Sequence, residues 1–123
     1  MSSLIYLAGP ITLPDPPSNT HFAIQIADAL VSAGFTPFVP HLSTLWQTVK
    51  PHSHSWWIEY DLRVIDNCAI VVRIPGPSQG ADIEVSYALQ HGIPVLHLES
   101  QEPEEAVEKL TQLSRVGQVL AGL

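Results

Sequence analysis

Glu84 follows a turn-rich stretch, Pro75-Gly76-Pro77-Ser78-Gln79-Gly80, by four residues. That spacing places a carboxylate one turn into a helix starting at Gly80 or Ala81, between apolar Ile83 and Val85. From there the side chain can look back at the loop. The dipole of its own helix favours the ionised form that a nucleophile needs. Most helix carboxylates are simply solvated; what sets Glu84 apart is its place just after the loop. A second carboxylate, Asp61, precedes Leu62 and follows Ile58 by three, so it borders the buried face of its helix. It is either a surface charge, for instance a partner for Arg63, or a second catalytic group. Two carboxylates meeting at a glycosidic centre can run sugar transfer, one as nucleophile and one as acid or proton shuttle. Tyr6 lies two residues from the end of an apolar run. Most strand tyrosines are core, but a phenol there can hydrogen-bond a crevice carboxylate and orient it.

Around these groups are candidate binding residues. Ser78 and Gly80 can hold a phosphate through a hydroxyl and backbone N–H groups at a helix start. Gly9, Pro10 and Ile11 form the exit loop of the first apolar run. Trp46, Trp56 and Trp57 crowd one irregular segment. Such rings fill a core or an oligomer interface, and Trp46 and Trp57 can also wall a base pocket by stacking. His41, His52 and His54 share that segment. A metal site needs three or four converging ligands, and a His-x-His pair without cysteine is poor support for one. Neither a metal nor a cofactor is expected. Arg73, inside an apolar run, needs a partner or an edge exit.

The elements that must position these groups are legible in the pattern. Leu4 to Ala8, Phe35 to Val39, Ala69 to Ile74 and Pro94 to Leu98 are short apolar runs bounded by Gly or Pro, as strands buried on both faces are. Pro37 suggests an edge position for the second. Leu13 to Ser18 carries three prolines and reads as a loop. Asn19 or Thr20 can cap a helix in which Phe22, Ile26, Ala29, Leu30 and Ala33 recur, with Gly34 ending it. Leu45, Trp46 and Val49 suggest a short helix. Ser55 can cap a better one carrying Ile58, Leu62 and Ile65 on one face. Pro103 suits a first helical position, with Glu104 and Glu105 near the positive end of the dipole. Val116 to Leu123 reads as a final strand or a tail.

Strands alternating with helices predict a single α/β domain over residues 1–123, Rossmann- or flavodoxin-like, with a parallel sheet covered on both faces. Right-handed crossovers make 2-1-3-4 the simplest strand order, with a possible fifth strand. The order reverses between the first and third strands, where ligands bind outside the carboxyl ends. The loops at Gly9-Pro10 and Pro75 to Gly80 sit at that crevice.

The net charge of -7, with five Lys and Arg, argues against a nucleic-acid polymer as partner. A single nucleotide remains open, because backbone donors can hold one phosphate. Cys68 is the one cysteine, so no disulfide forms within the chain. Met1 to Pro10 lacks the basic and long apolar regions of a secretory signal, and no run approaches membrane-spanning length. A cytoplasmic protein without membrane contact is expected.

Four segments together resemble one family. Leu4-Ile5-Tyr6-Leu7-Ala8-Gly9-Pro10-Ile11 is similar to the opening motif of the nucleoside 2-deoxyribosyltransferase superfamily. Asp61-Leu62, Ile65 and Cys68-Ala69-Ile70-Val71-Val72 resemble its central segment, with Ala69 where the family has Asp. Pro77-Ser78-Gln79-Gly80 with Glu84 and Ala88, then Gly92-Ile93-Pro94-Val95, complete the match over residues 4 to 98. The resemblance implies that Glu84 attacks the anomeric carbon, that Tyr6 orients it, and that Asp61 assists departure of the base. Six residues before the nucleophile the deoxyribosyltransferases carry Asp; this chain carries Ser78, as the related 2'-deoxynucleoside 5'-phosphate N-hydrolases do. That substitution implies hydrolysis of (deoxy)nucleoside 5'-monophosphates, with base exchange between nucleosides, or a non-catalytic nucleotide-binding module, as alternatives. The loop from Pro10 to Pro14 holds no cation, unlike many of the hydrolases. The resemblance also implies a homodimer or larger homo-oligomer.

Overall fold

The computed structural model describes residues 3–12 and 15–116. Strand β1 (Leu4–Ala8) lies at the centre, with β2 (Thr36–Phe38) on one side and β3 (Ile70–Arg73) on the other; β4 (Val95–His97) follows β3. All pairings are parallel and the order is 2-1-3-4, as expected. Pro37 sits on the edge strand, where its missing N–H costs no ladder bond. The register sets Tyr6 beside Val71 and Ala8 beside Arg73.

Alternation along the strands divides the core in two. Ile5, Leu7, Ile70 and Val72 face α1 (Pro16–Ser32) and α5 (Pro103–Val116), meeting Ala23, Ile26, Leu30, Ala106 and Leu110. Tyr6, Ala8 and Val71 face α3 (His54–Ile65) and α4 (Gln79–Gln90), meeting Ile65, Ala81 and Ala88. Strand parity therefore puts the Tyr6 phenol on the side of the two helices that carry Asp61 and Glu84. Between β2 and α3 the chain makes a 3-10 turn (Pro40–Leu42) and a short helix, α2 (Ser43–Val49).

Several boundaries differ from the sequence reading: α4 starts at Gln79, capped by Ser78, rather than at Gly80 or Ala81, and β3 and β4 are shorter than the apolar runs Ala69 to Ile74 and Pro94 to Leu98. Helix α1 begins at Pro16, inside the expected loop, because Asp15 caps it by accepting from Ser18 N at 3.2 Å and proline suits the first turn. Asn19 lies inside the helix rather than at its cap, and its side-chain amide donates to Ile11 O at 3.2 Å. Helix α3 starts at His54 with Ser53 as cap, its Oγ accepting from Trp56 N, in place of Ser55. The strand read over Phe35 to Val39 pairs only over Thr36–Phe38. Most of the segment read as a fifth strand or a tail, residues 117–123, lies outside the described residues. Among the described residues no helix is long and apolar enough to cross a membrane.

Candidate functional site

The loops leaving β1, β2 and β3 enclose a cavity of about 540 Å³ at the carboxyl ends of the strands. This volume lies within the range of small-molecule sites. Gly9, Pro10, Ile11 and Thr12 form one wall; Ser43, Thr44 and Gln47 of α2 form another. His54, Trp57, Ile58 and Asp61 of α3, and Pro77 to Ala81 with Glu84, close the rest.

The two crevice loops touch because two glycines allow it. A Cβ on Gly9 would lie 2.9 Å from Ile74 Cβ. Gly76 has φ 129°, a left-handed conformation suited to glycine, and a Cβ there would lie 2.7 Å from Pro10 Cγ. Pro10 is also held from below. Buried His41 contacts its carbonyl through Nε2 at 3.0 Å, and desolvation lowers the imidazole to about 4, so it is the neutral ring that donates. These contacts hold the backbone around the cavity floor.

Beneath that floor Tyr6, fully buried and not itself lining the cavity, donates to Glu84 Oε2 at 2.6 Å. Glu84 is 5% exposed and Asp61 6%. The three side chains form one cluster: burial first, and then the charges of Glu84 and Asp61, hold the phenol of Tyr6 well above its ordinary range. Asp61 Oδ1 is buried without a hydrogen-bond partner. Burial dominates both carboxyls, pushing Glu84 up to about 8 and Asp61 to about 6; the Tyr6 bond works the other way on Glu84. The expectation of an ionised Glu84 in the resting protein is therefore corrected. Glu84 lies beyond the first turn of α4, where the helix dipole has faded, and desolvation outweighs it. Burial therefore favours keeping a proton on the pair.

The binding candidates divide. Gly9, Pro10, Ile11, Ser78, Gly80 and Trp57 all line the cavity. Ser78 is also the cap of α4, its Oγ accepting from Ala81 N at 3.1 Å, which leaves its O–H to donate elsewhere. Trp46 does not line the cavity. It stands edge-on to Trp56, Trp57 and Tyr60, within a cluster where His52 and Trp56 stack at 3.6 Å. Its expected binding role gives way to a packing one, because only one side of α2 faces the cavity. Gln47, which the sequence did not mark, ties this cluster to the site by accepting from Trp57 Nε1 and from His52 N. The three histidines separate: His41 beneath Pro10, His52 in the ring cluster, His54 on the cavity wall. Ser43, Thr44 and Ile58 carried no signal in the sequence beyond their place in the irregular segment and on α3.

Chemically, the site offers a buried carboxylate that a phenol orients, a second carboxyl to exchange a proton with it, and an apolar wall with one large ring. None of the described residues lining the cavity is a Lys or Arg. Residues 3–97 match the model of a family described as a domain of unknown function, DUF4406. No match was found among curated proteins.

Proposed function

The chain belongs to the DUF4406 family, and for this member we propose an N-glycosidase that hydrolyses the base–sugar bond of (deoxy)nucleoside 5'-monophosphates. The observation that carries this reading is the Tyr6–Glu84 hydrogen bond of 2.6 Å at the floor of a cavity that Asp61 shares. The similarity of the surrounding motifs to the nucleoside 2-deoxyribosyltransferase superfamily supports it.

In this mechanism the proton held by the carboxyl pair moves to Asp61, leaving Glu84 as the anion that Tyr6 stabilises. A Glu84 oxygen forms a bond to C1' as the C1'–N bond breaks, and the electron pair leaves with the base. Asp61 delivers its proton to that base. Water then attacks C1' of the glycosyl-enzyme, Asp61 takes a proton from it, and the ester to Glu84 breaks. Trp57 offers a face for the base. Ser78 O–H and the N–H groups at the start of α4 suit the phosphate.

The test is incubation with a panel of nucleoside monophosphates, with free base followed by chromatography. Base release that Glu84→Ala abolishes is expected; no release, or equal release by Glu84→Ala, refutes the reading. One observation favours a second reading, base exchange between unphosphorylated nucleosides: no Lys or Arg stands among the described cavity-lining residues. That reading predicts turnover of nucleosides when a second base is supplied.

A further inference from the structure

Arg73 is a cation in an unusual place. It ends an apolar strand, is 8% exposed, and lies on the same sheet face as Val71 and Tyr6, toward α3 and α4. Its guanidinium donates to the carbonyl of Ile74, to that of Gly76 at 2.9 Å, and to Asp82 Oδ1 at 3.1 Å. One fork thus ties the strand end, the left-handed turn at Gly76, and the first turn of α4. Glu84 stands two residues beyond Asp82. The carbonyl bonds are the firm part of this clamp, since the Asp82 side chain is 73% exposed and a surface ion pair contributes little.

We propose that Arg73 is a positioning residue for Glu84: its fork sets the direction in which α4 leaves the loop and so where the Glu84 carboxyl stands. The proposal rests on reading Glu84 as the nucleophile. Tyr6 from β1 donates to Glu84, and the charges of Asp61 from α3 and Arg73 from β3 act on its carboxyl, with Asp82 on its own helix beside the guanidinium. Of these Arg73 is the one cation: burial first, and then Asp61, raise the Glu84 carboxyl, while the Tyr6 bond and, after it, the field of Arg73 lower it. A lysine could keep the charge but not the fork, because three acceptors in different directions need the planar guanidinium.

The experiment is an infrared titration of the Glu84 carboxyl in the ligand-free protein, with Glu84→Gln identifying its band. Arg73→Gln is expected to move the midpoint up by about one pH unit. Arg73→Lys is expected to keep it near the parent value while lowering kcat for base release about tenfold at little change in KM. Asp82→Asn, on an exposed carboxylate, keeps the test available if Arg73→Gln does not fold; its midpoint is expected to fall or stay. An unmoved midpoint in Arg73→Gln, an equal rise in Arg73→Lys, or a rise in Asp82→Asn overturns the proposal. The titration needs no turnover. Failure of base release would remove the glycosidase reading and leave these midpoints to be judged separately.

Discussion

Replacing Glu84 with glutamine should make the protein more stable in mild alkali. Burial holds the Glu84 carboxyl up at about 8, against an ordinary value of 4.5. The folded protein therefore keeps a proton that the unfolded chain has released, so stability must fall as pH rises between those values. At about 1.4 kcal/mol per pH unit, the ionised form is penalised by at most about 5 kcal/mol. Asp61 shares the coupling, so roughly half of that, about 2–3 kcal/mol, is expected to vanish with Glu84 alone. Other groups titrate nearby. His41, lowered to about 4, adds stability as pH rises up to its ordinary value of 6.5, the opposite sign. Asp61, raised to about 6, has finished most of its change by then. The window from pH 6.5 to 8.5 is consequently dominated by Glu84, since the Cys68 thiol, pushed by burial from 9.0 up to about 11, acts with the same sign mainly above it. Urea midpoints followed by tryptophan fluorescence should decline across this window in the parent and stay nearly level in Glu84→Gln, which should be the more stable protein at pH 8.5. A parent whose stability is flat or rising there, or a variant that is less stable at pH 8.5, would refute the reasoning.

Tyr6→Phe removes the phenol donor at 2.6 Å from Glu84 and should lower kcat for base release by about 10²-fold, with fold retained by circular dichroism. Trp57→Ala should raise KM about tenfold through the lost ring face, whereas Trp46→Ala should lower Tm and leave KM near the parent value; substrate saturation curves and thermal melts separate the two. Gly76→Ala puts a Cβ against Pro10 in a left-handed backbone and should cost about 1–3 kcal/mol in denaturant titration.

Most of the architecture could be read in one dimension. The apolar runs ending in Gly or Pro marked the four strands, and Pro37 marked the edge. Handedness and alternation then left the order 2-1-3-4 as the simplest, with Gly9-Pro10 and Pro75 to Gly80 at the crevice. What misled was local competition. Asn19 looked like a cap, but Asp15 with Pro16 and Pro17 formed a better one, and Asn19 turned to the Ile11 carbonyl. Trp46 and Trp57 looked alike, eleven positions apart on two helices, and only the docking of α2 on α3 sent one to the cavity and the other to the ring cluster.

The chain order alone determined which residue types stand at the strand ends and helix starts, since period and punctuation are properties of neighbours in sequence. It thereby marked Tyr6, Asp61 and Glu84. Only the folded molecule decided their chemical state. Desolvation depends on everything packed around a group, from any distance along the chain, and it raised Glu84 and Asp61 together. The same holds for Arg73, an unexplained charge in an apolar run until the loop wrapped round it and gave its fork three acceptors.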